Sequence, residues 1–286
     1  MRGRVTLFSH NKKKGDTLHV PNFTRSLATA KAAGSQVTLV APTHGVTDIS
    51  LNKHFEYSTL IEDIVAVQAM DTLRQAHTDD AGYSLARQAD FDLHVLGTGF
   101  QGSTLDATPG TPDANTLLYG TGAVIGSDGS TAWAASGAGN GTALSDAGIR
   151  RVLRNLDDDN VPLTDRSIVI PPVSKESLLG IARFTEQAFI GPNQQNPIVH
   201  GMFGMIYGVP VFVSTECGNT TNTSTTTSYR AALFFHKSAI ALAEQMAVRS
   251  QTQYKQEYLA DLYTADMIYG VAELRDTAGY AVIVPA

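Results

Sequence analysis

Between Asp71 and Leu96 the chain has no proline and a single glycine, Gly82, and is rich in Ala, Gln, Arg, Leu and Asp. Leu73, Ala76, Ala81 or Tyr83, Leu85 or Ala86, and Ala89 recur at three- and four-residue steps. That spacing lines one face of an α-helix. At about 1.5 Å per residue, a helix over 71–96 is roughly 39 Å long. This is well beyond the mean helix of globular domains.

The flanking segments are built differently. Residues 4–40 read as an extended hairpin. Val5 to Ser9 and Thr17 to Pro21 are β-prone, with the polar turn Lys12-Lys13-Lys14-Gly15-Asp16 between them. Gln36 to Val40 is a further strand candidate, and Ser26 to Gly34 is small and soft. A hairpin this poor in large apolar residues cannot stabilise itself in water and must lean on something else. Strands are expected within 46–66. Residues 97–143 are dominated by Gly, Ser, Thr, Ala and Asp, which predicts a loop-rich surface insert.

In the second half, Ser145 is placed to cap a helix that runs to Asp157 with Ile149, Val152, Leu153 and Leu156 on one face. Arg166 to Ile170 reads as a buried strand stopped by Pro171-Pro172, and Ser174 as the cap of a short helix through Leu179. Gly201 to Ser214 suggests strand-turn-strand about Gly208. Residues 218–228, nearly all Asn, Thr and Ser, read as an exposed, mobile loop. Ala231 to His236 reads as a strand, and Ser238 as the cap of a helical stretch to about Met246. Ile268 to Leu274 and Tyr280 to Val284 are two strands around the turn 276–279.

A search for chemistry finds no convincing site. Gly97-Thr98-Gly99-Phe100-Gln101-Gly102 has dinucleotide-binding glycine spacing, but Ser103 to Gly110 cannot open the long helix that such a site requires. Gly97 is better read as a helix stop. None of the eight histidines pairs with another at i+4, and Cys217 has no cysteine partner, so metal-ligand spacing is absent. Asp157-Asp158-Asp159 reads as a solvated helix end. No catalytic, cofactor-binding or metal residue is expected. Net charge is −6, and the only basic cluster is Lys12 to Lys14, so no nucleic-acid grip is expected. Charged residues are 17% and hydrophobic residues 43%, enough for a real core. No apolar run of about 18 residues exists, so no membrane span is expected.

From Asn160 onward the sequence becomes specific. Asn160-Val161-Pro162, Arg166-Ser167-Ile168-Val169-Ile170-Pro171 and Leu178-Leu179 resemble a phrase of tailed-bacteriophage major capsid proteins. Gly201 to Ser214, Ala231 to Ala239 and Ile268 to Arg275 resemble three further phrases of that family, in the same order. Gly15-Asp16-Thr17-Leu18-His19-Val20-Pro21 resembles its extended loop, and the 71–96 helix stands where its spine helix should. The family usually carries an N-terminal arm ahead of the extended loop, and here little precedes it.

This resemblance, nearest the short-tailed podovirus branch, implies an α+β chain with the HK97-like fold. Residues 1–40 would form the extended loop. Residues 41–142 would form the peripheral domain with the spine helix and the 97–142 insert. Residues 143–260 would form the axial domain, with 261–286 returning to the peripheral one. It implies a structural protein of the virion, assembled in the host cytoplasm into hexamers and pentamers of an icosahedral shell. Scaffolding, portal and decoration proteins are the implied partners, with packaged DNA only near by. Contacts between subunits are expected at Lys12, Lys13, Lys14, Asp16, Arg25, Arg74 and Asp80, and in the 218–228 loop. The alternatives are a nanocompartment shell of the same fold and an enzyme using Gly97–Gly102 for a nucleotide.

Overall fold

The computed structural model describes residues 1–9, 15–23, 28, 30–37, 39, 44–63, 73–102, 125–129, 133, 141–181, 204–221 and 227–286. Lys12 to Lys14, Arg25 and most of the 97–142 insert lie outside the described residues. The long helix, α1, spans Leu73–Gly97 and buries Ala81, Leu85 and Leu93 on one face. Its last residue is Gly97, where a Cβ would sit 2.7 Å from Leu233 Cδ1 in a fully closed part of the core, so the missing side chain lets the helix end pack against β10.

Two sheets and a ribbon are built around this helix. The first sheet has the order β1 (Thr6–Ser9), β11 (Ile240–Lys255), β12 (Ala260–Glu273), β4 (Lys53–Glu62). The second runs β5 (Ile125–Gly126), β13 (Gly279–Pro285), β10 (Ser228–His236), β6 (Arg166–Ile170), β8 (Val209–Val213), β7 (Met205–Ile206), with β9 (Asn219–Thr221) added alongside β10. The ribbon is β2 (Thr17–Phe23) paired antiparallel with β3 (His44–Ser50). β6 and β10 are interior strands covered on both faces, which is why Ile168 to Ile170 and Ala231 to Phe235 are unbroken apolar runs. A single apolar core joins α1 to both sheets; a smaller cluster of Ile49, Leu51, Ala241 and Ala243 lies at the root of the ribbon.

The corner from helix to strand shows why the first family phrase has its residues. Helix α2 (Asp146–Asp158) starts as expected, with the Ser145 hydroxyl accepting from the Gly148 amide at 3.1 Å. At its end Asn160 takes a left-handed φ of 54°, which Asn tolerates better than most residues. The Val161 amide then reaches back to the Leu156 carbonyl, and Val161 is buried. Arg166, also buried, donates to the Val161 and Pro162 carbonyls and pairs with Asp157 at 2.6 Å, so one side chain holds helix end, turn and strand together.

Four local expectations are corrected. Val5 to Ser9 does not pair with Thr17 to Pro21: β1 lies parallel to Ala241–Glu244, covering the edge of the buried start of β11, and the hairpin is β2–β3 instead. The stretch after Ser238 is the strand β11 and not a helix. Its Ala-rich start favours helix locally, but burial from Ile240 to Ala243 and a long ladder with β12 override that preference. Helix α3 (Pro172–Leu179) is entered from Pro171 with Pro172 in its first turn, and Ser174 is buried within it. Of the 218–228 loop, Asn219–Thr221 is the strand β9 with Thr220 fully buried, and 222–226 lies outside the described residues.

Candidate functional surfaces

The motifs weighed for chemistry are absorbed by packing. After Gly97 the chain makes a short 3-10 turn that drives Phe100 into the core against Phe235. A Cβ on Gly279 would meet that ring at 2.4 Å, so its missing side chain makes room for Phe100. Each acid of the 157–159 run has a partner. Asp157 binds Arg166, Asp158 lies 3.7 Å from Arg154, and Asp159 accepts from the Tyr280 hydroxyl at 2.6 Å and from Gln101. Burial pushes the Cys217 thiol up to about 12, so it stays a neutral, unreactive core group. Among the described residues no set of His, Cys, Asp and Glu is placed to hold a metal ion, and no helix is long and apolar enough to cross a membrane.

What stands out is surface left without a partner among the described residues. The β2–β3 ribbon is two strands wide, too thin to be stable unsupported. Its root is clamped at Gly270 in β12. A Cβ there would lie 2.2 Å from the Ser50 carbonyl oxygen, so only glycine lets the ribbon's last residues cross so closely. Beyond the root Val46 is exposed, as are Val37 and Leu39 in the segment linking the two strands; Leu39 is 92% exposed. His19 and Asp48 face each other across the ribbon at 2.5 Å. Gly270 was not among the expected site residues; the signal for it was a glycine inside a strand pattern.

A second projection is the far half of the β11–β12 hairpin. From Val248 to Tyr254 every β11 residue is exposed, and β1 covers only Ala241 to Glu244 of its outer edge. Arg249 forms a two-pronged pair with Asp266 at 2.9 and 3.0 Å, and Asp266 also meets His54. Those donors hold the Asp266 carboxyl below its usual range. Of the expected contact residues, Arg74 reaches Thr252 at 3.1 Å and Asp80 accepts from Tyr57 at 2.9 Å, so both strap α1 to this sheet. Asp16 is exposed at the start of the ribbon, where its carbonyl accepts from the Leu51 amide. These three are not gathered into one site: Asp16 belongs to the ribbon, Arg74 and Asp80 to the helix.

Between α1, the strand end at Val213–Glu216 and β11 lies an apolar groove of about 590 Å³. Gly82, Ala86 and Ala89 give it a low wall, Met246 and Met267 line it, and Arg2 and Arg87 stand at its rim, paired with Glu244 and Glu216. The sequence offers little warning of it, because the small residues of the helix read equally well as an ordinary buried face.

Comparison with known proteins gives a consistent result. The family model described as phage capsid protein matches residues 4–283. Among solved structures, the capsid of the cyanophage P-SCSP1u has a TM-score of 0.71 at 17% identity, covering 98% of this chain and 86% of that one. The capsid of Ralstonia phage GP4 has a TM-score of 0.71 at 15% identity, with 99% and 87% covered. A Mycobacterium phage Che8 structure has a TM-score of 0.65 at 20% identity, with 94% and 85% covered. No curated protein sequence matches. At these identities the likenesses establish a shared fold.

Proposed function

The chain belongs to the phage capsid protein family, with the HK97-like α+β fold, and from that premise we propose that its described surfaces are organised for closure into an icosahedral shell of hexamers and pentamers. As a major capsid protein it is a structural virion component that associates with copies of itself. The observation that carries the finer reading is the β2–β3 ribbon: clamped at one end by Gly270, two strands wide, and exposing Val37, Leu39 and Val46 with no cover from the described residues. Such a ribbon is stabilised by lying across a neighbouring subunit.

In this reading the ribbon is the extended loop and α1 is the spine of a peripheral unit that includes the first sheet. The second sheet, with α2 and α3, is the axial unit. Support comes from sheet membership, which departs from the bounds 143–260 and 261–286 expected from the sequence: β11 (Ile240–Lys255) shares one sheet with β4 and β12, and β13 (Gly279–Pro285) shares the other with β6, β8 and β10. Lys12, Lys13, Lys14, Asp16 and Arg25 are assigned to contacts made by the ribbon side, and Arg74 and Asp80 to contacts made along the seam where the spine meets the first sheet. The acidic balance of −6 keeps an inner wall from gripping packaged DNA. Scaffolding and portal partners, assembly in a host cytoplasm and the lack of any catalytic activity belong to the same proposal.

The test is to purify the full chain and examine it by size-exclusion chromatography and negative-stain microscopy. Hollow icosahedral particles, or hexamers and pentamers, are expected. A species that stays monomeric at concentrations near a millimolar would overturn the reading.

A further inference from the structure

At one place the chain passes twice between the two sheets. β10 of the second sheet leads into β11 of the first through Lys237 to Ala239, and β12 of the first leads back to β13 of the second through Leu274 to Ala278. The two passages are tied to each other. The Ala239 carbonyl accepts from the Leu274 amide at 2.8 Å and from the Arg275 amide at 3.3 Å, and Ile240 stands opposite Glu273 as the first pair of the β11–β12 ladder. Ala239 is fully buried, so these bonds are shielded from water.

Each passage carries a titratable side chain whose bonds fix its proton count. In the first, His236 Nδ1 accepts from the Ser238 amide at 3.1 Å and lies 2.8 Å from the Ser238 hydroxyl, so that nitrogen holds no proton. Asp165, Arg166 and the Thr164 carbonyl face the ring from the start of β6, and Arg275 faces it from the other passage; Lys237 beside it is exposed. Burial holds the ring below its usual pKa against the pull of Asp165. In the second passage the Glu273 carboxyl hydrogen-bonds to the Asp276 carboxyl, which takes a proton between them, and Glu273 Oε1 is buried with no partner. Arg275 is held elsewhere, by the Asp159 carbonyl and the Thr277 hydroxyl. Burial, then Asp276, raise Glu273 to about 7.

We propose that this double crossing is a proton-dependent latch between the two sheets, closed while Glu273 and Asp276 share a proton and His236 Nδ1 carries none. Loss of the shared proton sets two carboxylates against each other next to the Ala239 tie. A proton on His236 removes the acceptor for Ser238 and adds a third positive charge beside Arg166 and Arg275. The signs follow from the two directions. Glu273 is raised, so its contribution is lost as pH rises through about 7; His236 is lowered, so its contribution is lost as pH falls below the ordinary histidine range. The latch belongs to the single chain and stands apart from the shell-forming reading.

The test is hydrogen exchange of the full, unassembled chain, with rates corrected for the intrinsic effect of pH. Between pH 5.5 and 8.5 the protection of the Leu274 and Arg275 amides is expected to fall on the order of ten-fold relative to Ala231–Phe235 inside β10, a figure that allows for the exposure of Asp276. Glu273→Gln and Asp276→Asn should each keep that protection at pH 8.5, because an amide supplies the hydrogen in place of the proton. Asp276 is exposed, so its variant carries the test even if Glu273→Gln folds poorly. Constant protection in the unmodified chain, or the same fall in both variants, would overturn the proposal. An equal fall in β10 would overturn it too, since the whole fold would then be loosening. On the acid side, His236→Asn offers an amide oxygen that takes up no proton and should preserve Ser238 protection at pH 4.5, where the unmodified chain loses it; equal loss in both would remove His236 from the latch and sink the proposal as stated.

Discussion

His94 lies at the buried end of α1 with no exposed surface, and neither ring nitrogen meets a hydrogen-bond partner among the described residues. Burial pushes its pKa down to about 4, against the pull of the Asp90 carboxylate. The unfolded chain therefore binds a proton at higher pH than the folded one. Stability is full above about pH 6.5 and falls as pH drops toward 4, by on the order of 3 kcal/mol from this group. Glu273 works in the opposite direction. Burial, then the neighbouring Asp276 carboxylate, push it up to about 7, so its contribution is present below about pH 4.5 and is lost as pH rises through 7. Two substitutions separate these effects in denaturant titrations of the unassembled chain. His94→Leu is expected to flatten the loss between pH 6.5 and 4, and Glu273→Gln to raise stability at pH 8 with no gain at pH 4. Equal pH slopes in variant and wild type would rule out the assigned role. Neither group is legible in the sequence: His94 is one of eight scattered histidines, and spacing says nothing of which ring ends in the core.

At the level of elements, what is local was readable and what depends on distant partners was not. The α1 pattern, the Ser145 cap and the turn at Tyr207-Gly208 are set by residues within a few positions of one another. The turn takes φ values of 51° and 77° at its two central residues, as a tight hairpin with Gly in second place requires. The fate of Ile240 to Met246 depends instead on β12 and β1, which approach from both sides, so helix propensity misleads there. Three of the four family phrases fall on the corners and strands of the second sheet, and the last falls on β12 of the first. They did not reveal that Gly270, within the last phrase, is where β12 admits the ribbon. That role yields a sharp expectation. Gly270→Ala puts a methyl group 2.2 Å from a backbone oxygen, which no side-chain movement can relieve. The cost expected is about 1–3 kcal/mol, taken up by shifting the ribbon root. Hydrogen exchange should speed up at Ile49 and Leu51 while β6 and β10 stay protected. Unchanged protection at the root, or uniform loosening of both sheets, would show that Gly270 is not the clamp.

At the scale of the whole molecule, folding and assembly draw on different surfaces. The core that joins α1 to both sheets is closed by residues from β6, β10, β12 and β13. The ribbon contributes only at its root, through Ile49 and Leu51, with Leu18 and Val20 packed beside them. Removing the outer part of the ribbon should therefore leave the fold intact and remove only what neighbours bind. The register shows where to cut. Phe23 stands opposite His44 as the last pair of the ladder. Replacing residues 24–43 with Asn-Gly would close these two strands with a two-residue turn whose twist matches the hairpin. The described residues of that span, 28, 30–37 and 39, are all exposed, so the thermal midpoint of the unassembled chain is expected to stay where it is. Particle formation is expected to disappear, because the ribbon can no longer extend across an adjacent subunit. Calorimetry beside microscopy of the same preparation reads both quantities at once. A variant that melts normally and still builds shells would show that the ribbon is dispensable for closure. A variant that melts much lower would instead assign the 24–43 segment to the fold itself.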